Sequence, residues 1–173
     1  MAILPILKYP DPRLRQISRA VTDFDAGLAE LAQDLRETMV SAPGAGLAAP
    51  QVDRPLRIIV MDDTGEDEPY GEKVLTLVNP VIVAMDGEQI FNEGCLSVTD
   101  LQSDVHRAAT VTVTAQDLTG AFFTLTATER RAVILQHEID HLDGVLFLDR
   151  ISRVKKDMYR KKLLKSQKMA KKS

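Results

Sequence analysis

The stretch from residue 126 to residue 144, TATERRAVILQHEIDHLDG, constrains the fold and chemistry most strongly. It contains the pattern H-E-x-x-H, in which His137 and His141 stand four residues apart and so project from one helical face. Two imidazoles placed this way can bind one metal ion, and Glu138 can act on a water molecule beside it. The pattern also arises by chance from two structural histidines. Two of only three histidines in the chain fall in it, which favours a metal site.

The same stretch contains signals for both ends of a helix. Thr126 and Glu129 fit a capping box, which predicts that the helix opens at this point. Gly144, after Asp143, offers a C-terminal cap and predicts its end. We therefore expect the two histidines to lie on one helix between these signals.

A catalytic metal site of this kind needs a third protein ligand and one open position. In zinc proteases the third ligand follows the helix, but Phe147 stands where that histidine would be. Most lone cysteines are inert core residues, yet Cys95 is the best upstream candidate, because thiolate and imidazole together suit iron, zinc, nickel or cobalt. His106 is the competing ligand, and its polar setting indicates a surface residue.

The rest of the chain predicts an α+β fold, with antiparallel or mixed β-sheets packed around the central metal-binding helix and with N-terminal and C-terminal helices. Asp25 caps a first helix that ends near Ser41. Strands are expected at 56–61 and 75–84, and the alternation of apolar and polar residues at 110–114 predicts a further strand with 122–125 as its hairpin partner. Pro80 indicates an edge or bulge. Residues 62–72 read as a solvated loop.

The composition and the lengths of the apolar runs argue against a disordered, fibrous or membrane-spanning protein. A 45% hydrophobic and 27% charged composition over 173 residues is typical of a globular chain of one domain. The apolar runs are too short to span a bilayer, and the N-terminus does not read as a signal peptide, so we expect a cytoplasmic protein without a membrane partner. A single cysteine cannot form an internal disulfide.

The basic residues are concentrated at the C-terminus. From Arg150 onward, eleven Lys or Arg residues stand against one acid, Asp157, although the net charge of the chain is −3. This asymmetry indicates either an anionic partner or a solvated surface helix. We expect residues 1–149 to form the catalytic domain, and residues 150–173 to form a basic C-terminal helix and tail of that domain. The helix itself should run from about 150 to 168, with Ile151, Val154, Met158 and Leu163 or Leu164 as a partial apolar stripe.

A third segment, Gly44–Gln51, contains two glycines that allow another backbone to approach closely, as an extended peptide would. Its Gln51 amide could donate to a developing oxyanion. Together with Glu93–Ser97 and Gln136–His141, this segment resembles the peptide deformylases, which carry G-x-G-L-A-A-x-Q, E-G-C-L-S and Q-H-E-x-D-H in this order. The resemblance extends from the opening Tyr9–Arg15 to the basic C-terminal helix.

The resemblance implies a metal-dependent hydrolase that removes the N-formyl group from the formyl-methionine of newly made polypeptides and releases formate. It implies Cys95, His137 and His141 as ligands of one divalent metal, natively Fe²⁺, with Zn²⁺, Ni²⁺ or Co²⁺ possible in purified samples. Glu138 would take a proton from the attacking water and return it to the departing amine. The oxyanion would be stabilised by the metal, by Gln51 and by the Leu96 backbone N–H.

The methionine side chain requires an apolar pocket. Three residues share the helical face of His137 and are candidates for it: Arg130, Val133 and Ile134. Arg130 departs from the aliphatic residue usual in the family, so the rim of the pocket should differ. The remaining candidates for substrate binding are Gly44, Ala45, Gly46, Phe91, Glu93 and Gly94. Glu93 is expected to orient a ligand histidine or to pair with Arg107.

The expected partners are the nascent formyl-Met polypeptide and, through the basic C-terminal helix, the ribosome; sequence-specific DNA binding is not expected. Two rival interpretations stay open from the sequence. One is a zinc metalloprotease, which the missing downstream ligand disfavours. The other is a ribosome-associated binding module with a structural metal, for which a fourth protein ligand would be expected.

Overall fold

The computed structural model describes residues 2–172 and has the expected α+β architecture. Its helices and strands, in chain order, are α1 (Ala26–Ser41), β1 (Gly46–Ala48), β2 (Ile58–Asp62), β3 (Val74–Asp86), β4 (Gln89–Cys95), β5 (Val98–Arg107), β6 (Thr110–Gln116), β7 (Phe122–Thr128), α2 (Glu129–Leu142) and α3 (Arg153–Lys172). Short 3₁₀ turns lie at Pro12–Arg15, Ala49–Val52 and Phe147–Arg150.

The strands form two antiparallel sheets. Five strands pair in the order β1-β2-β3-β6-β7, while β4 and β5 form a separate hairpin. β2 is buried on both faces, because the five-stranded sheet lies between α1 and α2. Ile59 and Met61 pack in one cluster with residues of α2, whereas Ile58 and Val60 pack in another with residues of α1. The position of α2 against the sheet is therefore set by its packing on the β2 side chains of the first cluster.

Most of the predicted elements are confirmed. The Asp25 carboxylate accepts a hydrogen bond from the Leu28 N–H at the start of α1, which ends at Ser41 as expected. Pairing between β3 and β6 is irregular between Val78 and Val81, which is where Pro80 interrupts the strand. β6 and β7 form the predicted hairpin.

The predicted capping box at the start of the central helix is wrong. Thr126 belongs to β7, where it pairs with Thr112, and the strand continues to Thr128. Thr128 is the N-cap residue, but its side chain makes no capping hydrogen bond. The alternating threonines favour the pleated conformation over an earlier helix start. Gly144 follows the end of α2 with φ +72°, as the glycine signal predicted.

The predicted loop at residues 62–72 is less solvated than expected. Asp62 is buried at the end of β2, and its carboxylate accepts from the Gly71 N–H at 3.2 Å. The Tyr70 hydroxyl donates to the Gly44 carbonyl at 2.7 Å. These bonds tie the loop to the segment that begins at Gly44, which the acidic composition of the loop did not indicate.

The C-terminal helix differs from its prediction in bounds and in packing face. Residues 147–150 form a 3₁₀ turn, and α3 begins only at Arg153. Ile151 and Leu163 of the predicted apolar stripe pack against the same core cluster as Tyr159, the buried residue of the helix, whereas Val154 and Met158 are exposed. In the described part of the chain, no helix combines the length and apolarity needed to cross a membrane.

Candidate active site

Two elements bring the predicted metal ligands together. His137 and His141 project from α2, and Cys95 ends β4. One ligand atom from each of the three residues lies within 4.8 Å of the others. The Cys95 Sγ is 3.4 Å from the His141 Nε2. This spacing allows all three atoms to contact one ion.

The donor set fits a borderline-soft divalent metal, because it combines one sulfur with two imidazole nitrogens. Both histidines are buried and Cys95 is partly buried. His106, the competing candidate, is exposed and lies 2.8 Å from Glu88, far along the β-hairpin from this cluster. Phe147 is buried with its ring 6.0 Å from that of His137, so it packs against the site.

Glu138 is buried beside the cluster, and its Oε2 atom has no hydrogen-bond partner among the described residues. Burial raises the pKa of Glu138 to about 7. A Cβ atom on Gly46 would lie 2.7 Å from Glu138 Oε1, so only glycine leaves this carboxylate its space. A carboxyl group that titrates near pH 7 and has an oxygen without a hydrogen-bond partner suits general acid–base chemistry near neutral pH.

A network of charged side chains contacts His137 on the side of the ring that faces away from Cys95. Its Nδ1 lies 2.8 Å from Glu93 Oε1, which fixes the ring so that Nε2 faces the cluster. Arg107 donates two hydrogen bonds to Glu93, at 2.7 and 2.8 Å, and a third to Asp140 at 2.7 Å. Arg150 donates to the same Asp140 carboxylate. Glu93 therefore makes both of the contacts that the sequence offered as alternatives.

The charges of this network shift the pKa values of its members. Burial opposes ionisation of Glu93, but hydrogen bonds from Arg107 and His137 outweigh it and lower its pKa. Burial alone would lower the pKa of His137. Its hydrogen bonds with Cys95 and Glu93 outweigh this effect, so the pKa is raised. Burial, and then the charge of His137, lower the pKa of His141. The raised pKa means that His137 tends to hold a proton, and a metal ion that binds its ring nitrogen would displace this proton.

Gln51 also lies at the cluster, with both ends of its amide engaged. Its Oε1 accepts from the Ala48 N–H at 2.9 Å, and its Nε2 donates to Ser97 Oγ at 3.1 Å. The same Nε2 is 3.7 Å from Cys95 Sγ. The bond to Ala48 fixes the orientation of the amide, so its N–H donors face the metal-ligand cluster.

A cleft of about 740 Å³ opens next to these residues. Every residue predicted for substrate binding lines it: Gly44, Ala45, Gly46, Phe91, Glu93, Gly94, Arg130, Val133 and Ile134. Gln51, Leu96 and Glu138 line it as well. Val133 and Ile134 are buried walls, whereas Arg130 is exposed.

Two strand edges border the cleft. β1 is the terminal strand of the five-stranded sheet, and β4 pairs only with β5 among the described strands. Gly46 of β1 and Gly94 of β4 both line the cleft, so each edge presents backbone groups to it. An extended peptide could add to either edge.

Sequence reasoning missed part of the site. Residues of β5, such as Asp100 and Gln102, also line the cleft, and Asp140 joins the charge network. Asp140 lies three residues after His137 on the helix, so its position within H-E-x-x-H was the available signal. No comparable signal marks the β5 residues, because they reach the cleft through the β4–β5 hairpin.

Comparison with known proteins gives consistent matches over the chain. The family model described as Polypeptide deformylase matches residues 3–157. The chain is 46% identical to a peptide deformylase of Desulfotalea psychrophila over 165 residues, covering 95% of this chain and 97% of that one. A crystal structure of a peptide deformylase from Legionella pneumophila has a TM-score of 0.88 and 43% identity, covering 99% of each chain. A peptide deformylase from Acinetobacter baumannii, described as bound to Met-Ala-Ser, has a TM-score of 0.80 and 34% identity, covering 86% of this chain and 98% of that one.

Proposed function

The chain belongs to the peptide deformylase family, and from this premise we propose which of its residues carry the reaction and where it takes place. The protein is a hydrolase of protein biosynthesis that removes N-formyl groups from nascent peptides. The family is metal-dependent, and a Cys/His/His group that could bind a metal is present.

The proposed metal ligands are Cys95, His137 and His141, and the proposed native ion is Fe²⁺, with Zn²⁺, Ni²⁺ or Co²⁺ able to replace it. The observation that carries this proposal is the convergence of their three ligand atoms within 4.8 Å. When bound, the metal supplies Lewis acidity that activates water and polarises the formyl group. Three protein ligands leave a coordination position open, as catalysis requires.

Glu138 is the proposed acid–base residue. Its carboxylate accepts a proton from the attacking water and later gives it to the departing amino group. Its free Oε2 and a pKa raised by burial to about 7 support this role. The Gln51 amide and the Leu96 backbone N–H are the proposed donors to the developing oxyanion.

The proposed peptide path runs between the edges of β1 and β4, where Gly44, Gly46 and Gly94 keep the backbone accessible. The A. baumannii relative described as bound to Met-Ala-Ser supports a tripeptide-sized ligand in such a site. The proposed walls of the methionine pocket are Ala45, Phe91, Val133 and Ile134, with Arg130 at the rim.

Metal titration tests the three ligands independently of activity. Protein purified without oxygen is stripped and titrated with Co²⁺, whose absorption reports thiolate ligation. We expect one ion per chain, and a loss of affinity of more than about a hundredfold in Cys95→Ser, His137→Ala and His141→Ala. The control His106→Ala should bind as the parent does. Unchanged affinity and absorption in Cys95→Ser would contradict the proposed ligand set.

Substrate comparison tests the proposed pocket. Formyl-Met, formyl-norleucine and formyl-Leu tripeptides are compared with formyl-Gly at limiting concentration. Each buried methylene is worth about 0.8 kcal/mol, so kcat/KM should rise by at least about a hundredfold from formyl-Gly to formyl-Met. Val133→Asp should remove most of that difference. Equal kcat/KM values across the four peptides would contradict the pocket.

We further propose that residues 1–149 form the catalytic unit, that the basic segment 150–173 binds the ribosome, and that the protein acts in the cytoplasm, where its substrate is made. The exposed lysines of α3, including Lys161, Lys165 and Lys168, support an anionic partner. Reversing these three charges to Glu should abolish cosedimentation with ribosomes, and binding by the parent should weaken with salt. Reversing exposed Arg19 and Arg54 is the control. Binding that survives the α3 reversal would contradict this role.

A further inference from the structure

Arg130 brings an unusual charge to the cleft. It is the one Arg or Lys among the described residues that line this cavity. Three acids also line the cleft: Glu93 is buried and already paired with Arg107, Glu138 is the buried proposed acid–base residue, and Asp100 lies on β5. Arg130 forms no ion pair with a carboxylate among the described residues. An uncompensated guanidinium at the wall of a peptide-binding cleft attracts anionic groups that pass it.

The neighbouring arginine, Arg131, lies on the same helical turn and has its charge compensated by an ion pair. Arg131 is also exposed at the start of α2, but it lies 2.6 Å from Asp63 and is not among the cleft-lining residues. The two side chains differ by 100° around the helix, so they face different surroundings. Arg131 is therefore a matched control for the charge of Arg130.

Arg130 lines the same cleft as the glycine segment of the proposed peptide path. Tyr70 donates to the Gly44 carbonyl at 2.7 Å, and Gly44 lines the cleft. The glycine segment and the guanidinium of Arg130 therefore border one cleft.

Distance along the helix sets which part of a substrate can meet this charge. Arg130 precedes His137 by seven residues, which is about 10 Å along the helix axis. An extended peptide advances about 3.3 Å per residue. For a peptide that runs along α2 with its formyl group at the proposed metal ligands, the second or third residue would therefore lie at the level of Arg130.

We propose that Arg130 is a specificity residue that favours formyl-Met peptides with an acidic side chain at position 2 or 3. This inference rests on the proposed peptide path and deepens it by naming a preferred substrate class. The interaction involves an exposed cation, so its effect is modest. We expect about a two- to fivefold higher kcat/KM for an Asp peptide than for its Ala counterpart, and a similar decrease for Lys.

The test compares C-terminally amidated formyl-Met-Ala-Ser with versions that carry Asp or Lys at position 2 or at position 3. The ratio of kcat/KM values is measured within each variant, so that changes in pocket shape cancel. The Asp preference should vanish in Arg130→Leu, reverse in Arg130→Glu, and persist in Arg130→Lys and in Arg131→Ala. It should also decrease as the ionic strength rises.

The outcomes separate this inference from the function on which it rests. Turnover of the neutral peptide with no effect of charge at either position would overturn the role of Arg130 alone. A preference that survives in Arg130→Leu, or that is lost in Arg131→Ala, would also overturn it. No formate from the neutral peptide would overturn the proposed catalytic site and this inference with it.

Discussion

Replacement of Arg107 by methionine tests the buried charge network behind the proposed metal ligands. The Arg107 side chain is 2% exposed and that of its partner Glu93 is 3% exposed. Methionine preserves the apolar stem but removes three charge-assisted hydrogen bonds, two to Glu93 and one to Asp140. Asp140 keeps Arg150, so the loss falls mainly on Glu93, whose one remaining side-chain partner among the described residues is His137.

The expected cost follows from the burial of Glu93. Removing one member of a buried ion pair typically costs about 3–5 kcal/mol, because the other charge is left uncompensated. For a chain of this size each kcal/mol lowers Tm by about 2–4 °C, so the Tm of Arg107→Met should fall by roughly 6–20 °C. Since Glu93 also orients His137, metal affinity should fall by about ten- to a hundredfold.

Urea unfolding of metal-free protein at neutral pH measures this cost. The double variant Glu93→Gln/Arg107→Met should recover about 2 kcal/mol relative to the sum of the single effects, because no unpaired carboxylate remains. The control is Arg57→Met, whose ion pair with Asp143 has the same short distance of 2.8 Å but is partly exposed. That change should cost less than about 1 kcal/mol. Equal costs for Arg107→Met and Arg57→Met, with no coupling to Glu93, would refute the reasoning.

Two further predictions concern the space around the proposed acid–base residue and the pH dependence of stability. Gly46→Ala places a methyl group 2.7 Å from the Glu138 carboxylate, so kcat should fall by about tenfold or more. The control Gly65→Ala, in the exposed loop, should retain the parent rate. Equal rates in the two variants would contradict the close contact. Partial burial opposes ionisation of Asp149, but a hydrogen bond from Arg15 helps to lower its pKa. A lowered pKa stabilises the fold above the unfolded value of about 3.9 and loses that stabilisation as pH falls through the folded value. Urea unfolding should therefore show Asp149→Asn to be about 1 kcal/mol less stable than the parent from pH 6 to 8. The difference should shrink below about pH 4. A difference that does not change with pH would contradict this account.

The sequence predicted the parts of the molecule that local patterns specify. The spacing of His137 and His141 indicated a shared helical face, and Asp25 indicated the start of α1, because both depend on neighbours within one or two turns. The approach of Cys95 to these histidines was inferred from its chemistry and from family resemblance. The structure brings it there through the end of β4.

Features that depend on long-range contacts were predicted poorly. Thr126 was assigned to a capping box because its pairing with Thr112 across the sheet is invisible to local patterns. The apolar stripe predicted for the C-terminal helix is right at Ile151 and Leu163 but wrong at Val154 and Met158, because contacts with distant residues place Tyr159 in the core instead. Asp140 shares Arg107 with Glu93, and this link joins α2 to the β-hairpin between residues far apart in the chain.

The central claim is that a metal held by Cys95, His137 and His141, with Glu138 as the acid–base residue, hydrolyses the formyl group. The most direct measurement is formate release from formyl-Met-Ala-Ser by parent and Glu138→Gln protein, both loaded with Fe²⁺ without oxygen to the same metal content. The account predicts release by the parent and a rate at least about a hundredfold lower in the variant, with metal retained. A near-parental rate in fully loaded Glu138→Gln, or no release by fully loaded parent protein, would contradict it.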